Sequence, residues 1–189
     1  DARAAGGIFF GDLSCTSGTL TLRHLLSMRA NGVPGTRFFY NPPLFSWTSR
    51  PMMERTGVAY SDLMDSLIFK PAAMQGAARI NRDRPLSADL AARLARPYHV
   101  DAEGRVSPSE PPGPQGDGAA GGVIASAMDL AHFDIALSDG RLLSDAARES
   151  MWTAHRAPDG TVLPYGLGWF VQSIDGERVA LLDINPRMD

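Results

Sequence analysis

The sequence predicts a mostly α-helical chain closed by a C-terminal β-hairpin, on three features. Tyr60, Leu63, Met64, Leu67 and Ile68 fall at i, i+3, i+4, i+7 and i+8, one continuous apolar stripe of helical period. Ser126 is followed three positions later by Asp129, a spacing close to the capping box that starts a helix. Asp175-Gly176 separates two apolar runs, Tyr165–Gln172 and Arg178–Asp183, as the turn of a hairpin does.

In order along the chain, the first twenty residues are rich in Gly, Ser and Thr and read as loop. Leu22, Leu25 and Leu26 share one face of a helix that Asn31-Gly32 is expected to end, because both residues tolerate left-handed backbone. Pro34-Gly35 continues that turn, and the tight run from Phe38 to Pro43 follows it. Proline suits the first turn of a helix, so one helix is expected from Leu44 to about Thr56, closed by Gly57 and kinked or broken by Pro51. The striped helix ends at Lys70, since Pro71 disfavours helical geometry before it. Residues 97–122 are dominated by Pro, Gly and polar side chains and read as a long irregular excursion without a core element. The Ser126 helix should run to about Asp139 with Gly140 beyond it, and Ser144-Asp-Ala-Ala-Arg-Glu begins another. The division expected is a mainly helical part, residues 1–164, and the start of a C-terminal sheet, residues 165–189. A lone two-stranded hairpin is marginal in water, so this order suits a piece whose remaining strands lie elsewhere.

Composition narrows the chemistry. Length, 189 residues, allows one domain or two, and the 44% hydrophobic and 21% charged content is that of an ordinary globular chain. A net charge of -3 with no block of like charge argues against nucleic acid as a partner, since phosphate binding rests on clustered positive charge. Cys15 is the only cysteine, so neither a disulfide framework nor a cysteine zinc site is expected. No apolar run reaches the roughly 18 residues of a membrane span. The first residue is Asp, as expected of a processed or truncated chain. There is no G-x-S-x-G elbow, no H-E-x-x-H and no phosphate loop, which leaves other enzyme classes little support; neither a metal nor a cofactor is expected.

Five segments, in order, resemble the serine β-lactamase-like hydrolases, the family of class C β-lactamases, D-alanyl-D-alanine carboxypeptidases and related esterases. Thr21-Leu-Arg-His-Leu-Leu-Ser resembles the family helix T-L-R-H-L-L-S-H-T-S-G, and Phe39-Tyr40-Asn41 its F-x-Y-S-N segment. Lys70-Pro71-Ala-Ala-Met74 is similar to its P-L-G-M, and Gly121 to Phe133 to its G-G-L-x-S-T-A-x-D-L-A-R-F. Tyr165-Gly-Leu-Gly-Trp169 matches its Y-G-L-G-W. The resemblance implies an α/β sheet domain beside an all-helical one, residues 1–164 here supplying mainly the helical domain, with the site in the cleft between. It implies acyl transfer from an ester, amide or β-lactam to a Ser of an S-x-x-K motif, then to water. A K-T-G or H-x-G strand and backbone N–H groups would orient the substrate and hold the oxyanion.

Departures from that pattern carry as much information. The only lysine, Lys70, has Leu67 three residues before it, and Ser66 stands at the wrong spacing, so S-x-x-K and K-T-G are absent. None of His24, His99, His132 and His155 is followed two residues later by Gly, which removes H-x-G. The middle motif survives in altered form: Tyr40 is the candidate base or proton relay and Asn41 the candidate substrate-binding residue, with Pro42 where the family commonly has Asn. Met28 stands where the family often has His, a change read as packing. Three readings stay open: the central piece of a serine hydrolase, inactive alone; a noncatalytic, degenerate paralogue that binds a ligand or partner; and an unrelated helical binding module. Tyr40 has its own plain alternative, a core aromatic with a satisfied hydroxyl.

Overall fold

The computed structural model describes residues 19–82, 84–109, 116 and 118–181. The expectations for the first eighteen residues, for Cys15, for the densest part of the Pro/Gly run and for the tail after Leu181 lie outside them. The chain forms two compact units, one from residues 1–57, 118–121 and 143–189, the other from residues 58–117 and 122–142.

In the first unit, α1 (Leu22–Leu26) is capped by Thr21, whose hydroxyl accepts from the His24 N–H at 3.2 Å. The helix stops earlier than Asn31-Gly32 would have it. Ser27 turns its hydroxyl back onto the Arg23 carbonyl at 2.7 Å, and Met28 takes left-handed backbone (φ 52). The single helix expected from Leu44 is two: α2 (Pro42–Ser46), capped by Asn41, and α3 (Ser49–Thr56), closed by left-handed Gly57. Pro51 explains the break, because its ring excludes a helix continuous with Trp47 four residues back. At the third position of α3 its missing N–H belongs to the first turn, where no intrahelical partner exists anyway. Leu25, Ala30 and Leu44 form the small core beneath these helices, with Leu20 and Trp47 against it.

Farther along the same unit, α7 (Asp145–Met151) starts on its Ser144 cap, and β5 (Phe170–Ile174) pairs antiparallel with β6 (Glu177–Leu181). Asp175 and Gly176 both have positive φ, 52 and 85, as the tight hairpin turn requires. The strand expected from Tyr165 begins only at Phe170. Tyr165–Trp169 is a turn: the Leu167 N–H donates to the Met151 carbonyl at 2.9 Å, and the Gly168 N–H to the Leu26 carbonyl at 2.8 Å. One turn therefore satisfies a free carbonyl at the end of α7 and another at the end of α1. Tyr165 turns inward and is 2% exposed.

The second unit opens with α4 (Tyr60–Met64), which widens into a π turn over Asp65–Phe69. The Lys70 N–H reaches the Asp65 carbonyl at 3.0 Å, five residues back. That extra residue shifts the apolar stripe: Leu67, expected inside, is 55% exposed, and Phe69 is buried in its stead. Phe69, Ala72, Met74 and Ala136 form the core, with Phe133 and Ile68 packed on it. α5 (Ala88–Arg93) follows its Ser87 cap. Within residues 97–122, β2 (Tyr98–Val100) and β3 (Val106–Pro108) make an exposed hairpin, so the stretch is ordered there yet supplies no core. The two-residue strands β1 (Ala78–Arg79) and β4 (Val123–Ile124) pair just ahead of α6 (Ala127–Ser138). Ser126 and Asp129 cap α6 reciprocally, as their spacing predicts, and Asp129 also accepts the Gly76 N–H at 3.0 Å.

Gly166 is where the fold is least tolerant, because a Cβ there would fall on the Met151 carbonyl oxygen. Gly166→Ala should destabilise the first unit by more than about 3 kcal/mol, the range of mutations that force backbone apart. Urea denaturation monitored by tryptophan fluorescence reads this; an unchanged midpoint would mean that the turn has room to move.

Candidate active site

The two candidate site residues sit at the end of the link from α1 to α2, directly before α2. Two contacts to Met28 hold that segment: the Phe39 N–H donates to its carbonyl at 2.8 Å, and the Asn41 N–H lies 3.3 Å from its sulfur. Met28 is buried and left-handed, a conformation that a bulky residue keeps only where its surroundings enforce it. The position read as a packing change is thus a clamp on the backbone around Tyr40.

Tyr40 is half-buried. Its ring stacks on Phe170 with centroids 6.0 Å apart and planes 24° apart. Phe170 in turn meets the edge of Tyr165 at 4.9 Å, and Phe38 lies 5.4 Å from Tyr165. The aromatic cluster joins the start of β5 to the segment before α2, although more than a hundred residues of chain separate them. Offset and edge-on ring pairs of this kind contribute about 0.5–1.5 kcal/mol each beyond their burial, enough to favour one placement of the Tyr40 ring.

Asn41, expected to touch substrate, turns its amide inward. It is 4% exposed; Oδ1 accepts the Leu44 N–H at 3.2 Å as the cap of α2, and Nδ2 donates to Asn31 Oδ1 at 3.3 Å. Asn31, expected only as a helix stop, is itself buried and orients that amide. Sequence reasoning passes over Met28, Asn31, Phe38 and Phe170 as parts of this arrangement. The available signal was the aromatic character of Phe38 and Phe170 directly beside the motif segments; Met28 and Asn31 carried none.

Two tyrosines meet in the cluster, with different chemistry available. Burial pushes the Tyr165 phenol up to about 12, so it stays protonated at any physiological pH and serves as a wall. Tyr40 is half-buried, where Tyr165 is buried. Lys70, the lone lysine, is exposed and belongs to the second unit. Among the described residues no cluster of three or more His, Cys, Asp or Glu is arranged to hold a metal ion, and no helix is long and apolar enough to cross a membrane.

The family model described as Beta-lactamase matches residues 11–182. The chain belongs to the beta-lactamase family. It is 33% identical to penicillin-binding protein 4* of Bacillus subtilis strain 168 over 129 residues, 62% of this chain and 28% of that protein. A penicillin-binding protein from Bacillus halodurans superposes with a TM-score of 0.63 at 24% identity, covering 79% of this chain and 44% of that one. The D-amino acid amidase of Ochrobactrum anthropi SV3 gives a TM-score of 0.68 at 20% identity, over 85% of this chain and 57% of the other. At such identities the structures show the fold alone: this beta-lactamase family chain is part of a β-lactamase/transpeptidase-like α/β fold. It spans little more than a quarter of the curated relative's length. The family is of the serine-hydrolase type, so the ordered motifs do mark kinship and the unrelated helical module is set aside.

The raised Tyr165 phenol sets a pH dependence. The unfolded chain ionises this group near 10 and the folded chain near 12, so the stability it contributes is complete below 10 and is lost as pH rises from 10 to 12. The loss should reach about 2–3 kcal/mol at full ionisation. Denaturant midpoints measured across that window should fall more steeply for the parent chain than for Tyr165→Phe; parallel curves would refute the assignment.

Proposed function

We propose that this chain is the central segment of a serine hydrolase that transfers an acyl group from an ester, amide or β-lactam to an S-x-x-K serine and then to water, and that these 189 residues alone are inactive. Tyr40 is the residue assigned to the chemistry, as base or proton relay toward that serine. The observation that carries the reading is the double restraint on Tyr40: its ring stacks on Phe170 while the backbone on both sides is tied to Met28. A proton relay needs a phenol fixed in place but still reachable; Tyr40 is restrained and only half-buried, whereas Tyr165 is buried. The kinship with penicillin-binding protein 4* supports the substrate class.

Asn41 enters this proposal as a positioning residue. Its capping bond and its contact with Asn31 support a part in holding the Tyr40 backbone, with any amide toward substrate supplied from elsewhere. The same buried amide, together with Pro42 at the position the family gives to Asn, favours the second reading, a degenerate paralogue that binds without chemistry.

Treatment of the isolated chain with a fluorescent penicillin and with p-nitrophenyl acetate should give no covalent label and no burst of nitrophenolate. A stoichiometric acyl adduct on any serine would overturn the claim that these residues lack the nucleophile. The coding sequence on either side separates the two readings. An in-frame S-x-x-K upstream with H-x-G or K-T-G downstream supports the hydrolase, and flanks without them support the paralogue.

A further inference from the structure

From Leu13 to Met53 the sequence holds no Asp or Glu, yet it carries Arg23, His24, Arg29, Arg37 and Arg50. The fold gathers part of this positive charge in one place. Arg29 is buried, 8% exposed, just beyond α1. Its Nε donates to the Ser27 hydroxyl at 2.9 Å and its Nη1 to the Gly35 carbonyl at 3.4 Å. Gly35 also donates its N–H to the Arg29 carbonyl at 2.8 Å, and the His24 ring lies so close that a Cβ on Gly35 would sit 3.2 Å from Nε2. His155, from the segment after α7, faces the Tyr165 carbonyl at 3.3 Å and feels the charges of Arg29, Arg23 and His24.

No acid answers this cluster among the described residues. In the same unit Glu54 is paired with Arg50, Asp145 with Arg148 and Glu149 with Arg178, Asp159 is taken up by the Thr161 N–H, and Asp175 and Glu177 stand at the turn of the β5–β6 hairpin. A buried guanidinium whose contacts are a neutral hydroxyl and a carbonyl is solvated but not neutralised. Buried charges are ordinarily paired. Both histidines respond as they should to uncompensated positive charge: burial and then Arg29 hold His24 and His155 below the usual imidazole value of 6.5.

We infer that Arg29, His24 and His155 form a binding site for a small oxyanion, a carboxylate or a sulfate-like group. The site is separate in chemistry from Tyr40, which lies in the aromatic cluster on Phe170. Arg29 offers the planar fork that matches such oxygens, and protonation of the two imidazoles accompanies binding. Affinity therefore strengthens as pH falls, by up to about tenfold per pH unit for each histidine that takes up a proton.

The test is a titration of the 189-residue chain with sodium sulfate and, separately, sodium acetate, followed by the ring-proton resonances of His24 and His155 between pH 5 and 8 (about one and a half units either side of free imidazole). Both resonances should move on addition of either anion, and both titration midpoints should rise. Arg29→Gln should weaken binding by at least about tenfold, the usual scale for a buried charge-assisted contact. Should that variant not fold, His155→Asn serves instead, keeping the anion but flattening the pH dependence of its affinity. Absence of any response at His24 and His155 in the folded chain would overturn the proposal, as would an unchanged pH dependence in His155→Asn. Midpoints at or above 6.5 without added anion would overturn it too, since a carboxylate of the chain itself would then already hold the site.

Discussion

Two backbone amides converge on the end of the first helix. The Gly168 N–H meets the Leu26 carbonyl at 2.8 Å, and the Phe39 N–H meets the Met28 carbonyl at 2.8 Å. Carbonyls at a helix end have no partner within the helix, so each must find one outside it. Here the partners come from the two segments that carry the aromatic cluster. The Tyr165–Trp169 turn brings Tyr165 and Phe170, and the segment before α2 brings Phe38 and Tyr40. Gly166 and Gly168 are what let the turn come so close: one passes against the Met151 carbonyl, and the other takes left-handed backbone with φ 85. The placement of Tyr40 depends on this junction together with its stacking on Phe170.

Much of the fold was legible wherever the cause was local. Ser126 with Asp129, Ser144, and Asp175-Gly176 announce their helix starts and their turn through neighbouring side chains and backbone, and the structure has each in place. Ser87 carried an equivalent signal for α5, a helix that sequence reading did not expect. What escaped sequence reading is governed by tertiary contact or by rare backbone. The π turn moves Leu67 out and Phe69 in, a slip that a strict helical period does not anticipate. Met28 in left-handed backbone looks in sequence like a continuing helix, since the residue types that usually mark such a position are Gly and Asn. Tyr165 read as a strand residue because apolar and aromatic residues alternate around it, whereas the glycines between them make a turn.

The candidate site divides in the same way. Tyr40 stood out through its motif, but the features that make it usable are distant in sequence: Phe170 beneath its ring and Met28 beside its backbone. Asn41 stood out for the same reason, and its buried amide shows how a motif position can serve the backbone instead of a ligand. Tyr165 illustrates environment acting on a side chain, since burial raises its phenol to about 12 and leaves it as a wall of the cluster. Family membership thus tells which residues to inspect, and burial and hydrogen bonding tell what each can do.

If the junction at the end of α1 governs the site, its two amides must open together. Native-state hydrogen exchange at Gly168 and Phe39 measures this directly. The account predicts that both N–H groups exchange with one shared opening free energy, equal to that of the first unit as a whole. Gly168 exchanging at the rate of a free loop while Phe39 remains protected would contradict it.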